Sequence, residues 1–160
     1  MPIEKDSLPY RPCVGVMLIN DEGKVWQGER IDTLGAWQMP QGGVDEDESL
    51  KYAALRELEE EIGVTADQVE ILAETDDWLS YDLPDELVGI VWKGRFRGQK
   101  MHWFLMRLTE DDSVINIQTE NPEFARWQWG DIESLTGLIV PFKRKVYESL
   151  VEQFKPLVNK

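Results

Sequence analysis

The segment Gly42-Gly-Val-Asp-Glu-Asp-Glu-Ser-Leu-Lys-Tyr-Ala-Ala-Leu-Arg-Glu-Leu-Glu-Glu-Glu-Ile-Gly-Val64 begins as a glycine-rich loop and continues as an acidic amphipathic helix. Asp47 to Ser49 offer N-capping side chains, Ala54, Leu58 and Ile62 recur at helical spacing, and Gly63 stands where the helix should stop. At about 100° per residue with Glu57 as origin, Glu60 falls at about −60° and Glu61 at about +40°. The three carboxylates therefore share one stripe, and the apolar stripe lies directly beside it. Glu57 has no basic residue three or four positions away, so each like-charge pair on the stripe carries a small cost whose sign a cation would reverse. Oxygen donors without His or Cys favour a hard divalent ion, Mg²⁺ or Mn²⁺. The alternative is a solvated acidic face supported by an Arg56–Glu60 pair at i, i+4. Ahead of the helix, Gln41-Gly42-Gly43 permits close backbone approach, which suits a phosphate chain lying near a helix N-terminus.

Working outward, Cys13 to Ile19 reads as a buried strand, Asn20 to Gly23 as a turn, and Lys24 to Arg30 as the return strand of a hairpin. Ile31 to Gly43 should be mostly loop with an extended piece at Trp37-Gln38. Strands are expected from Val69 to Ala73, extending toward Trp78, and over Glu86 to Trp92, Lys100 to Thr109 and Arg126 to Trp129. After Pro141 an amphipathic helix places Phe142, Val146, Leu150, Val151 and Phe154 on one side. The element order predicts an α+β fold, an α/β/α sandwich with a mixed β-sheet between helices, formed by residues 1–160 as one domain.

Composition agrees. A chain of 160 residues with 42% hydrophobic and 30% charged residues can bury a core of its own. Its net charge of −14 repels polyanions and excludes broad duplex nucleic-acid binding, while a local basic cleft for a short anionic ligand stays open. The apolar run from Cys13 to Ile19 is far shorter than a bilayer needs, so no membrane association is expected. The first residues, Met-Pro-Ile-Glu-Lys-Asp-Ser, lack the pattern of a secretory leader, and Cys13 stands alone; both suggest a cytoplasmic protein. Nothing in the sequence fixes an oligomeric state.

Gly42, five residues, Glu48, seven residues, then Arg56-Glu-Leu-Glu-Glu-Glu-Ile-Gly-Val64 resembles a complete Nudix box, the signature of hydrolases acting on a nucleoside diphosphate linked to another group. Beyond the box, Tyr10 to Gly15, Gly35 to Gly43, Tyr81 to Pro84, Gly98 to Phe104, Pro122 to Phe124 and Pro141 to Arg144 are similar to segments of bacterial RNA pyrophosphohydrolases and of dinucleoside polyphosphate hydrolases. The resemblance implies a Mg²⁺- or Mn²⁺-dependent enzyme. Its substrate would be a nucleotide or an RNA 5′ end. Glu57, Glu60 and Glu61 would be metal ligands, oriented by Arg56 and Glu48, and Gly63 a structural part of the motif. It also makes Glu123 an additional metal ligand or the general base, with Glu60 as its rival. Arg11, Arg30 and Lys100 are candidates to hold non-reacting phosphates, with Lys143 and Arg144 behind them, and Gly42 and Gly43 face the same chain. Tyr81 is a candidate for stacking on a nucleobase through an exposed ring. Trp103, Trp127 and Trp129 are assigned to packing, His102 to a strand edge and Cys13 to the core. Two other readings are carried alongside: clean-up of damaged nucleoside triphosphates, and a nucleotide-sensing domain without catalysis, which an intact box opposes.

Overall fold

Strand β1 (Tyr10–Ile19) shows how the core divides. Cys13, Met17 and Ile19 enter one buried cluster, while Val14, Val16 and Leu18 enter another, because successive side chains leave a strand on opposite faces. Strand β7 (Gly98–Leu108) repeats the pattern, with Met101, Trp103 and Leu105 on the first side and Phe104, Met106 and Leu108 on the second. The two strands pair in parallel from Tyr10–Gly98 to Ile19–Arg107 and form the centre of the sheet. A sheet apolar on both faces must be covered on both, and it is. Helix α1 (Leu50–Ile62) seals the second cluster with Ala53, Ala54, Leu58 and Ile62. The C-terminal helix seals the first with Val146, Tyr147, Leu150, Phe154 and Val158. The computed structural model describes residues 7–158. Residues 1–6, on which most of the leader reading rests, lie outside them.

The remaining strands are β2 (Val25–Arg30), β3 (Trp37–Gln38), β4 (Gln41–Gly43), β5 (Val69–Glu74), β6 (Leu79–Asp82) and β8 (Phe124–Gly130). The sheet runs β3-β2-β1-β7-β5, with β4 added to β1, β6 to β7 and β8 to β2; β1–β7 is the parallel pair and the other pairings are antiparallel. Two further α-helices follow, the short α2 (Leu135–Leu138) and the long C-terminal α3 (Arg144–Val158). Among the described residues no helix is long and apolar enough to cross a membrane.

The expected mixed sheet between helices is the observed architecture. One predicted strand is absent: Glu86 to Trp92 folds into tight turns at Asp85–Leu87 and Val91–Gly94. Its apolar residues suggest extension, but Gly89 and Gly94 take positive φ, and Trp92 and Lys93 follow them into the left-handed region, which stops a ladder from forming. The strand expected from Val69 ends at Glu74 as β5 and does not reach Trp78; β6 begins beyond it, and the two pair with successive stretches of β7. Gln41–Gly43, expected as loop, pairs with Cys13 to Gly15 as β4.

Gly98 lets β6 lie close to the start of β7: a Cβ there would stand 1.9 Å from the Tyr81 carbonyl oxygen. That neighbour is backbone and cannot turn aside. Gly98→Ala is expected to lower stability by about 1–3 kcal/mol, read as a reduced urea midpoint with an unchanged m-value.

Candidate functional site

Ser49 starts α1 by accepting the Tyr52 N–H at 3.2 Å, and Gly63 ends it at φ 73° by donating its N–H to the Glu59 carbonyl at 2.9 Å. Between these caps Arg56 fastens the preceding loop to the helix. Its Nε and Nη2 donate to the two oxygens of Glu48 at 2.7 and 2.8 Å, and Nη2 also donates to the Gly43 carbonyl at 3.0 Å. On the helix itself, Nη1 donates to Glu57 at 2.8 Å and reaches Glu60 at 3.3 Å. The guanidinium holds the Glu48 carboxyl at a pKa of about 2, well below the usual range, with the Asp45 N–H adding to the effect.

Glu57, Glu60, Glu61 and Glu123 line one cavity of about 1090 Å³. Glu61 is 7% exposed, its Oε2 has no hydrogen-bond partner, and burial raises its pKa, reinforced by the charges of Glu57 and Glu123. Burial also raises the pKa of Glu57, against the pull of Arg56. A Cβ on Gly42 would fall 2.0 Å from the Glu57 carboxyl carbon, so the glycine is what lets that carboxylate rest against the loop. An orphaned buried carboxylate oxygen, beside a second carboxylate cradled on a glycine, is a donor set suited to a hard divalent cation. Among the described residues no three such side chains converge on a single point, and Arg56 occupies oxygens of Glu57 and Glu60.

The same cavity receives cations. Arg30 is aimed by bonds from its Nε to Asp32 at 2.7 Å and from Nη1 to Gln38 at 3.3 Å. Arg11 reaches the cavity beside Gly43, with its guanidinium 5.4 Å over the Trp92 ring. Lys143, 5% exposed, places its ammonium 5.7 Å from the Tyr81 ring centroid, and burial lowers its pKa to about 8, with the Arg30 charge adding to the shift. Its companion Arg144 instead donates to the Thr136 carbonyl. Lys100 is not among the residues lining the cavity; it pairs with Ser80 in the sheet and sets its ammonium 4.8 Å over Trp78. Tyr81 lines the cavity but is only 7% exposed. Its hydroxyl donates to Gln99 at 2.6 Å and its ring meets Phe142 at 5.6 Å, so the expected exposed stacking face is a packed one. His102 faces Glu74 at 3.0 Å, Cys13 and Trp103 are buried, and Trp127 and Trp129 are half-buried in β8.

Sequence reasoning misses the apolar end of this cavity, formed by Leu83, Leu87, Val91, Trp92 and Phe142. Phe142 counts as core by helical spacing and Trp92 as strand, and neither pattern marks a cavity wall. The cavity lining thus combines the α1 carboxylates, the cations Arg11, Arg30 and Lys143, and apolar side chains, a combination that accommodates a phosphate chain attached to an aromatic group.

Helix, loop and cavity together define a hydrolase site of the kind that acts on phosphoanhydrides. The chain belongs to the NUDIX domain family, which it matches over residues 9–150. It is similar to the RNA pyrophosphohydrolases of Sphingopyxis alaskensis (53% identical, covering 98% of this chain and 99% of that one) and Roseobacter denitrificans (56% identical, 96% and 97%). Its fold resembles the E. coli dihydroneopterin triphosphate pyrophosphohydrolase (TM-score 0.68, 22% identity, covering 91% and 99% of the two chains). It also resembles a C. elegans Ap4A hydrolase binary complex (TM-score 0.66, 18% identity, 91% and 98%). Members of this family generally use divalent cations.

Two outcomes follow from this geometry. Because a Cβ on Gly42 meets only the end of a flexible side chain, Gly42→Ala should leave the urea midpoint nearly unchanged while moving Glu57; Mn²⁺ affinity by isothermal titration should fall about ten-fold or more. Lys143 has a folded-state pKa of about 8, below its ordinary 10.5, so the unfolded chain binds more protons between those values and stability rises with pH across that window. The difference in unfolding free energy between wild type and Lys143→Met, followed from pH 7 to 11, should show that rise and be flat on either side.

Proposed function

We propose that this protein is a divalent-metal-dependent pyrophosphohydrolase that cleaves phosphoanhydride bonds in 5′-triphosphorylated RNA ends and in dinucleoside polyphosphates, in the cytoplasm. The observation that carries the reading is the one cavity lined together by the α1 carboxylates, three basic side chains and apolar residues. The names borne by relatives 51–56% identical over nearly the whole chain support the RNA 5′ end. The buried free thiol of Cys13 supports a reducing compartment.

Glu57 and Glu61 would hold Mg²⁺ or Mn²⁺, with Glu60 and Glu123 completing the set from the cavity wall. The bound ion supplies neutralisation of phosphate oxygens and a lowered pKa for water. The side chains of this protein do the rest. Arg11, Arg30 and Lys143 draw the non-reacting phosphates along the Gly42-Gly43 loop by charge and hydrogen bonding, which fixes one phosphorus before the acidic helix. Glu60 or Glu123, both exposed within the cavity, accepts the proton of the attacking water. Arg56 does not line the cavity and acts as a positioning residue, keeping Glu57 and Glu60 at fixed places on the stripe.

Hydrolysis of triphosphorylated RNA and of diadenosine tetraphosphate, side by side in ¹⁸O water with Mg²⁺ or Mn²⁺, identifies the attacked phosphorus and compares the two substrates. Glu60→Gln should lower turnover by about 100-fold or more. Unchanged turnover in that variant would remove Glu60 from the chemistry, and a wild-type protein inert toward both substrates would overturn the reading.

A further inference from the structure

The turn Val91–Gly94 contains two consecutive residues with side chains in the left-handed region, Trp92 (φ 54°, ψ 39°) and Lys93 (φ 59°, ψ 26°). Bulky residues avoid that region, so the surrounding structure must enforce it. It does so by closing the turn on itself: Gly89 and Gly94 have φ of 92° and 72°, and a Cβ on Gly94 would lie 2.8 Å from the Gly89 carbonyl oxygen. The Arg95 N–H then donates to the Trp92 carbonyl at 3.3 Å. The turn packs Val91 and Trp92 against the core while leaving Ile90 72% exposed. It also places the Trp92 indole in the cavity wall.

Two neighbours fix the ring there. Phe96 meets it edge-on, centroids 6.2 Å apart at 77°, and the Arg11 guanidinium lies 5.4 Å from its centroid. Arg11 also packs against the loop that faces the phosphates: a Cβ on Gly43 would come within 2.5 Å of its Nη2. One arginine thus lies against both that loop and the indole.

We propose that Trp92, with Arg11 stacked upon it, is a nucleobase platform, taking the base of a nucleotide whose phosphates lie along Gly42 and Gly43; this rests on the phosphoanhydride reading given above. Every base offers a π-face to an indole, and a guanidinium adds cation–π attraction, so the platform sets affinity for base-bearing substrates without choosing among bases. Trp92 is a specificity-determining residue for nucleotides over bare polyphosphate.

The test compares binding of adenosine 5′-(α,β-methylene)triphosphate with binding of inorganic tripolyphosphate by isothermal titration, for wild type, Trp92→Leu and Trp92→Phe. Both variants keep apolar bulk against the core, and only the Phe keeps an aromatic face. Trp92→Leu is expected to weaken nucleotide binding about five-fold or more, to change the tripolyphosphate Kd by less than about two-fold, and Trp92→Phe to restore most of the nucleotide affinity. The proposal is overturned if Trp92→Leu binds the nucleotide as wild type does. It is equally overturned if that variant weakens both probes alike, or if wild type prefers the nucleotide no more than tripolyphosphate. Because binding is read without turnover, a wild type that binds the nucleotide preferentially yet cleaves no phosphoanhydride would overturn the proposed function alone.

Discussion

The bidentate pair between Arg56 and Glu48 is the constraint on which the site is built. A helix that gathers Glu57, Glu60 and Glu61 on one edge works against its own charge, and a loop containing Gly42 and Gly43 has little reason to hold a single shape. Arg56 answers both problems at once. One side of its guanidinium is bonded to the loop through Glu48 and the Gly43 carbonyl, and the other side to Glu57 and Glu60. The geometry is the planar fork that lysine cannot reproduce. Without it, the glycine loop and the carboxylate stripe would be two independent elements that happen to be near each other in sequence.

The sheet then decides what faces that stripe. Antiparallel pairing of β4 with β1 brings Gly42 beside Val14 and puts the glycine loop at the sheet, while β6 on β7 brings Tyr81 to the lining of the same hollow. Pro141 to Lys143, just before α3, supply Phe142 and the buried ammonium of Lys143. Acidic, basic and apolar walls therefore come from elements far apart in the chain. The contrast between them is a property of the topology.

Local elements were legible where one periodicity dominates. Helix α1 shows itself through Ala54, Leu58 and Ile62 with Ser49 and Gly63 as its limits, and β1 through an unbroken apolar run. The carboxylates on one stripe follow from the same arithmetic. What was hidden depends on residues distant in sequence. Lys143 is legible as a further phosphate candidate but not as a buried one, and only the packing of the turn before α3 sinks it. Tyr81 looks available for stacking until β7, Gln99 and Phe142 close around it. The 86–92 stretch imitates a strand because backbone sign at Trp92 and Lys93 is invisible in residue type; only the glycines at 89 and 94 hinted at a turn. That Lys100 lies over Trp78 and not along the cavity is hidden for a related reason, since it depends on strand pairing with a distant segment.

The parallel union of β1 with β7 carries a consequence for biogenesis. Tyr10 joins Gly98 and Ile19 joins Arg107, so one edge of β1 stays open until that late segment has been made. During synthesis the N-terminal hairpin leaves the ribosome with a long, apolar, unpaired edge, the kind of surface that invites pairing with other chains. Closing it requires a loop of some eighty residues, a non-local event of the sort that slows folding. The interval between emergence of β1 and arrival of β7 is thus the period in which a chain of this fold is most exposed to aggregation.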